Sequence, residues 1–160
     1  MDQLICDALR KEMGAQIALS PGFRWGPTLL AGEKITMRDL LAETAITYPD
    51  VYVQDMTGAD LKAVMEDVCD NLFNPDPYLQ QGGDMVRIGG MNYVCSPAEK
   101  MGARISDMTL DDGTKVEAGK SYRVAGWASV NPGPSGTPVW EVVAKHLRAA
   151  RTAKVAKLNQ

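Results

Sequence analysis

The 160 residues include one histidine, three cysteines and two phenylalanines, and each scarcity removes a class of chemistry. A single imidazole, His146, leaves no paired-histidine motif to hold a catalytic metal. It falls beside the apolar stripe of the last expected helix and reads as a packed or boundary histidine. Cys6, Cys69 and Cys95 are odd in number and widely spaced, with no C-x-x-C pair, so neither a zinc site nor a disulfide framework is legible. They read as buried or semi-buried thiols, with one bridge left open. No apolar run approaches the ~20 residues of a membrane-spanning helix, and residues 1–10 lack the basic-then-apolar order of a signal peptide. Nor is there a basic excess. Seventeen Lys and Arg face 20 Asp and Glu for a formal charge of -3, so no global field recruits nucleic acid or an anionic membrane. The local cluster Lys145, Arg148, Arg151, Lys154 and Lys157 reads as a solvated helix face running into a tail.

What is present is enough apolar residue for one core, 45% of the chain, and one compact domain is expected over 1–150, with 151–160 as a flexible basic tail. Ile5, Ala8, Leu9 and Met13 recur at helical spacing over 2–13, and Gly14 stops that helix. A short buried strand over 15–19 follows. Thr36 and Thr57 each precede an aspartate by three positions, the pattern of a capping box opening a helix. Residues 51–56 alternate as a half-buried strand. The helix after Thr57 carries Leu61, Val64, Met65, Val68 and Leu72 on one stripe, with Glu66 and Asp67 assigned to its exposed face. A surface connection over 71–83 leads to strands at 85–88, 91–95, 104–109 and 121–127, with a turn at Asp111-Asp112-Gly113. A final helix is expected to open at Thr137 with Pro138 in its first turn. Helices and strands mix without strict alternation, which favours an α+β domain with mixed or mainly antiparallel strands covered by helices.

The chain is poor in catalytic material: no nucleophile stands with its base, no metal-ligand cluster is legible, and Asp111 and Asp112 read as turn formers. Arg24 is the exception. It follows a strand directly, in a loop whose Gly22 and Gly26 permit close backbone approach, between Phe23 and Trp25. A guanidinium so placed offers a planar fork of donors to phosphate, sulfate or sulfonate oxygens. The alternative, a structural arginine stacked on Trp25, carries equal weight from the residues alone.

Several segments together resemble the C-terminal domain of the 5'-nucleotidase and UDP-sugar hydrolase family: Asp7-Ala8-Leu9-Arg10, the strand and loop from Ile17 to Arg24, Asp55-Met56-Thr57-Gly58-Ala59-Asp60-Leu61, and Ser121-Tyr122-Arg123-Val124-Ala125. The resemblance runs from about Asp2 to Leu147 and rests on the order of the pieces. In nucleotide-handling members, two phenylalanines sandwich the base. Here the first position reads Met85, and the second loop reads Asn131-Pro132-Gly133-Pro134-Ser135-Gly136. Roughly 1–3 kcal/mol per lost stacking contact argues against a nucleoside substrate.

The departures are similar to the SoxB-type thiosulfohydrolase branch: Pro21-Gly22-Phe23-Arg24-Trp25-Gly26, Gln81-Gly82-Gly83-Asp84-Met85-Val86-Arg87, Lys100-Met101-Gly102, Arg104-Ile105-Ser106-Asp107-Met108 and Val124-Ala125-Gly126-Trp127-Ala128. That resemblance implies a periplasmic enzyme of sulfur oxidation that releases sulfate from a cysteine S-thiosulfonate on the carrier SoxYZ. It further implies two manganese ions in an N-terminal metallophosphatase domain absent from this sequence, and a C-terminal fragment that binds substrate but has no catalytic residue or metal ligand of its own. Arg24 then meets the sulfonate oxygens, with Gly22 a further candidate substrate-binding residue and Trp25, Trp127 and Asn131, by loop position, candidates to line the cleft or the entry for the carrier's arm. Two further readings stay open: a nucleotidase or UDP-sugar hydrolase with an altered base pocket, and a non-catalytic module that binds an anion or a partner.

Overall fold

The computed structural model describes residues 1–22, 26, 28–46, 48–129, 136–155 and 158–159. In chain order they form α1 (Asp2–Met13), β1 (Ile17–Ser20), α2 (Met37–Thr44), β2 (Val51–Thr57), α3 (Gly58–Phe73), a 3-10 turn (Pro77–Leu79), β3 (Arg87–Gly89), β4 (Met91–Cys95), β5 (Ile105–Leu110), β6 (Ser121–Trp127) and α4 (Val139–Ala150). The main sheet has four strands in the order β2-β6-β1-β3, and β4 and β5 make a separate two-stranded sheet. β1 runs parallel to β6, and the other pairings are antiparallel. This is the mixed α+β architecture expected of the sequence.

β1 and the second half of β6 are buried on both sides, and their alternation divides the core in two. Ala18, Ala125 and Trp127 face α1 and α4 in one cluster with Ile5, Leu9 and Val143. Ile17, Leu19, Tyr122 and Val124 face the other way, joining Leu61, Met65 and Cys69 of α3 with Met91 and Ile105 of the small sheet. The arrangement is therefore layered: helices, sheet, then α3 with the β4–β5 pair. Small residues bring α1 close to the sheet, since a β-carbon on Gly89 would stand 2.7 Å from that of Cys6.

Both expected capping boxes form, with the Thr36 and Thr57 hydroxyls accepting from the Asp39 and Asp60 backbone N–H and the aspartates returning the bond. Gly14 ends α1 in the left-handed conformation at φ 63°. Gly58 has a different reason: a β-carbon there would run into the carbonyl of Glu117, because the 116–120 segment docks on the first turn of α3. The expected Thr137 cap does not form. Thr137 spends its carbonyl on Val51 N–H, and α4 begins at Val139 with Pro138 as its N-cap and no side-chain cap. In the 151–160 stretch, Asn159 folds back against the domain and bonds to Gln3, Gly90, Asn92 and Asp111. Asp111 is thereby more than a turn former, since it also pairs with Arg10 at 2.9 Å.

Glu66, assigned above to an exposed face, is 4% exposed. Its carboxylate accepts the backbone N–H of Gly102, Arg104 and Ile105 and the Lys62 ammonium. Beside it, Arg104 is 2% exposed and meets the Asp70 carboxylate and the carbonyls of Glu99 and Phe73. The fold pins the turn between β4 and β5 onto α3 with charge-assisted hydrogen bonds.

Burial alone would raise the pKa of Glu66, but the Lys62 ammonium and the N–H groups of Ile105 and Gly102 outweigh it and hold the carboxyl at about 2 against an ordinary 4.5. A lowered folded-state pKa means that this stabilisation is complete above 4.5 and is lost as the pH falls from there towards 2. Glu66→Gln keeps one acceptor and turns an amide NH2 towards backbone donors, so it should cost about 2–3 kcal/mol near neutral pH. In chemical denaturation followed against pH, the gap between wild type and variant should narrow across that acid window. A gap independent of pH would show that the Glu66 charge does not fasten the hairpin.

Candidate functional site

Because β1 and β6 run parallel, their carboxyl ends open on the same edge of the sheet, where α/β folds commonly place ligands. The chain leaves that edge after Ser20 and after Trp127, and the segment leading into β3 and the start of β2 meet it, as the pairs Ser20↔Arg87 and Val51↔Trp127 show. Four loop connections converge there.

At Gly22 and Gly136 the packing demands glycine because the obstacle is backbone, whereas at Gly26 it is the end of a side chain. A β-carbon on buried Gly22 would collide with the Met85 carbonyl, one on Gly136 with the Val51 carbonyl, and one on Gly26 with the Glu43 carboxylate. Across the sheet, the Tyr52 phenol lies over Gly126, its partner in β6, where a side chain would collide with it. Ala128, the first residue beyond β6, takes φ 63°, a left-handed conformation that costs a non-glycine residue roughly 1–2 kcal/mol. Strain is thus held where β6 gives way to the loop leading to Gly136.

Gly22 lies at this edge, two residues beyond the end of β1. Trp127 is 3% exposed. Its indole N–H donates to Ser20 Oγ at 2.9 Å, and the ring packs in the α1–α4 cluster. It therefore ties the end of β6 to the end of β1 and braces the edge from beneath. Arg24, Trp25 and Asn131 lie outside the described residues.

Two acidic features escaped sequence reasoning. Glu43, on α2, is 7% exposed with its carboxylate against Gly26. The only sequence signal for it was a glutamate four residues after capping Asp39. Asp84 pairs with Arg87 at 2.5 Å, and Arg87 also holds Asp2 at 3.1 Å, linking the approach to β3 with the start of α1. Among the described residues, no group of three or more His, Cys, Asp or Glu is placed to hold a metal ion. His146 is a boundary residue with Nδ1 3.5 Å from Glu12, which also pairs with Lys145. No helix is long and apolar enough to cross a membrane, among the described residues. Among the described residues the edge is built of paired strand ends and close-packed connections. Its polar groups serve to hold loops.

Comparison with known proteins gives this edge a context. Thermus thermophilus sulfate thiohydrolase SoxB, solved in complex with glycerol, matches 99% of the chain with a TM-score of 0.88 and 34% identity. The chain spans 30% of that protein's length. A Staphylococcus aureus structure described as that of a 5'-nucleotidase in complex with alpha-ketoglutarate matches 99% of the chain and 35% of its own at TM-score 0.77 and 16% identity. A 5'-nucleotidase precursor, also from Thermus thermophilus, matches 98% of the chain and 33% of its own at TM-score 0.72 and 16% identity. These two likenesses establish the shared fold. No curated protein sequence matches. The family model described as 5'-nucleotidase, C-terminal domain, covers residues 1–144, and with the matching fold it follows that the chain belongs to the 5'-nucleotidase C-terminal domain family.

Proposed function

We propose that the chain is the substrate-facing C-terminal domain of a SoxB-type thiosulfohydrolase, an enzyme that releases sulfate from a cysteine S-thiosulfonate on the carrier SoxYZ. The observation that carries this reading is the contrast in identity over the same fold: 34% with SoxB against 16% with each of the two nucleotidase structures. The sequence supports it from the other side, because neither position of the base-stacking pair is aromatic: one is Met85, and 131–136 contains no Phe, Tyr or Trp.

In this proposal the chain's own residues bind and orient. Arg24 presents its guanidinium fork to the sulfonate oxygens, where positive charge favours the negative charge that builds up as the S–S bond is cleaved. Gly22 lets the chain just beyond β1 lie against the Met85 backbone. Trp127, through Ser20, fixes the strand ends from which both loops depart. Trp25 and Asn131 are assigned to the cleft wall and the entry for the carrier arm. The described donor set does not fit a manganese pair, so the metal centre belongs in this proposal to an N-terminal metallophosphatase domain, with the whole enzyme periplasmic.

Arg24→Ala in the full-length enzyme should raise the barrier by about 2–4 kcal/mol, the effect of deleting one oxyanion donor, measured as sulfate released from thiosulfonate-loaded carrier. An unchanged rate would return Arg24 to a structural role, and comparable hydrolysis of AMP or a UDP-sugar by the wild type would restore the nucleotidase reading. Gly22→Ala should lower stability by about 1–3 kcal/mol through overpacking against the Met85 carbonyl, with kcat/KM falling more than Tm alone explains. The 160-residue chain by itself should release no sulfate from loaded carrier. Stoichiometric turnover by it would overturn the division of labour between domains.

A further inference from the structure

Cys69 lies on α3 and Cys95 ends β4, 26 residues apart in sequence, and their sulfurs stand 3.3 Å apart. The third thiol is out of reach: Cys6 packs in the α1–α4 cluster on the opposite face of the main sheet, whereas Cys69 and Cys95 belong to the α3 side. The pair also bridges two separate elements. β4 belongs to the two-stranded sheet, which is fastened to α3 at its turn by Glu66 and Arg104, and Cys69 lies one residue before the Asp70 that holds Arg104.

We propose that Cys69 and Cys95 form a redox-responsive dithiol that closes to a disulfide and clips the β4–β5 sheet onto α3. The co-reactant is a disulfide-bearing oxidant, a small-molecule disulfide or an exchange protein. The Cys95 thiolate attacks one sulfur of that disulfide, its S–S bond breaks, and one oxidant thiol departs, leaving a mixed disulfide on Cys95. Cys69 then loses its proton to solvent and displaces the second oxidant thiol from Cys95. The balance is two protein thiols oxidised to one disulfide and one oxidant disulfide reduced to two thiols.

The order of attack follows from exposure, since Cys95 is half-buried and Cys69 is fully buried. Closure requires the sulfurs to approach by a little over ~1 Å to reach bonding distance. Burial, with the neighbouring Cys95, pushes the Cys69 thiol up to about 12. The second displacement is therefore the slow one, and its rate should climb with pH.

The test uses the reduced 160-residue chain and oxidised glutathione. The intact mass should fall by about 2 Da. Alkylation in denaturant should then label Cys6 alone, and Tm should rise by about 7–14 °C for a closed loop of this length. Cys6→Ser should behave as wild type. Cys69→Ser should stop at a stable glutathione adduct on Cys95. Persistence of that adduct in the wild-type chain, a bridge through Cys6, or three alkylatable thiols after oxidant treatment would each overturn the proposal.

Discussion

The parallel pairing of β1 with β6 is the constraint on which the rest of the molecule depends. Two neighbouring strands, buried on both faces where they pair, need cover above and below. α1 and α4 supply it on one side, and α3 with the small sheet on the other. The same pairing sends both chains out at one edge, so the loops after Ser20 and Trp127 start as neighbours although more than a hundred positions separate them. Site and core are thus two results of one strand register.

The polar fastening of the β4–β5 pair complements that apolar core. A hairpin of two strands is barely stable alone in water, and this one lends the α3-side cluster only a few large side chains. Glu66 answers by accepting three backbone N–H groups at the turn of the hairpin, while Arg104 spans from α3 to the Glu99 carbonyl. The charges offset one another across a short distance, so an arginine can be almost fully buried without an uncompensated penalty.

Local signals in the sequence were the legible ones. The capping boxes at Thr36 and Thr57 and the left-handed Gly14 depend on residues within one turn, and they formed where the pattern put them. Strand β6 was readable because its first half alternates exposed Ser121 and Arg123 with buried Tyr122 and its second half, 124–127, is a continuous buried run. Glu66 was misread because helical periodicity records only which face of α3 a residue occupies. Its backbone partners, 36 to 39 positions away, leave no trace in that periodicity. Thr137 failed as a cap for a similar reason, since a distant strand claimed its carbonyl. At the edge, Gly22 was legible as a residue of a glycine-rich loop, but the obstacle that makes it necessary, the Met85 carbonyl, comes from another part of the chain. Trp127 looked like a wall residue from its loop position, and only the pairing of β6 with β1 turns its ring inward.

Asn159 adds one more consequence. Its backbone and side chain grip Gln3, 156 residues earlier, together with Gly90, Asn92 and Asp111. The polypeptide between those two anchor points is accordingly a ring closed by hydrogen bonds. Rings of this kind can be reopened elsewhere: joining the anchor points with a short linker and cutting at an exposed turn away from Asp111 should give a circular permutant with the same strand order and layers.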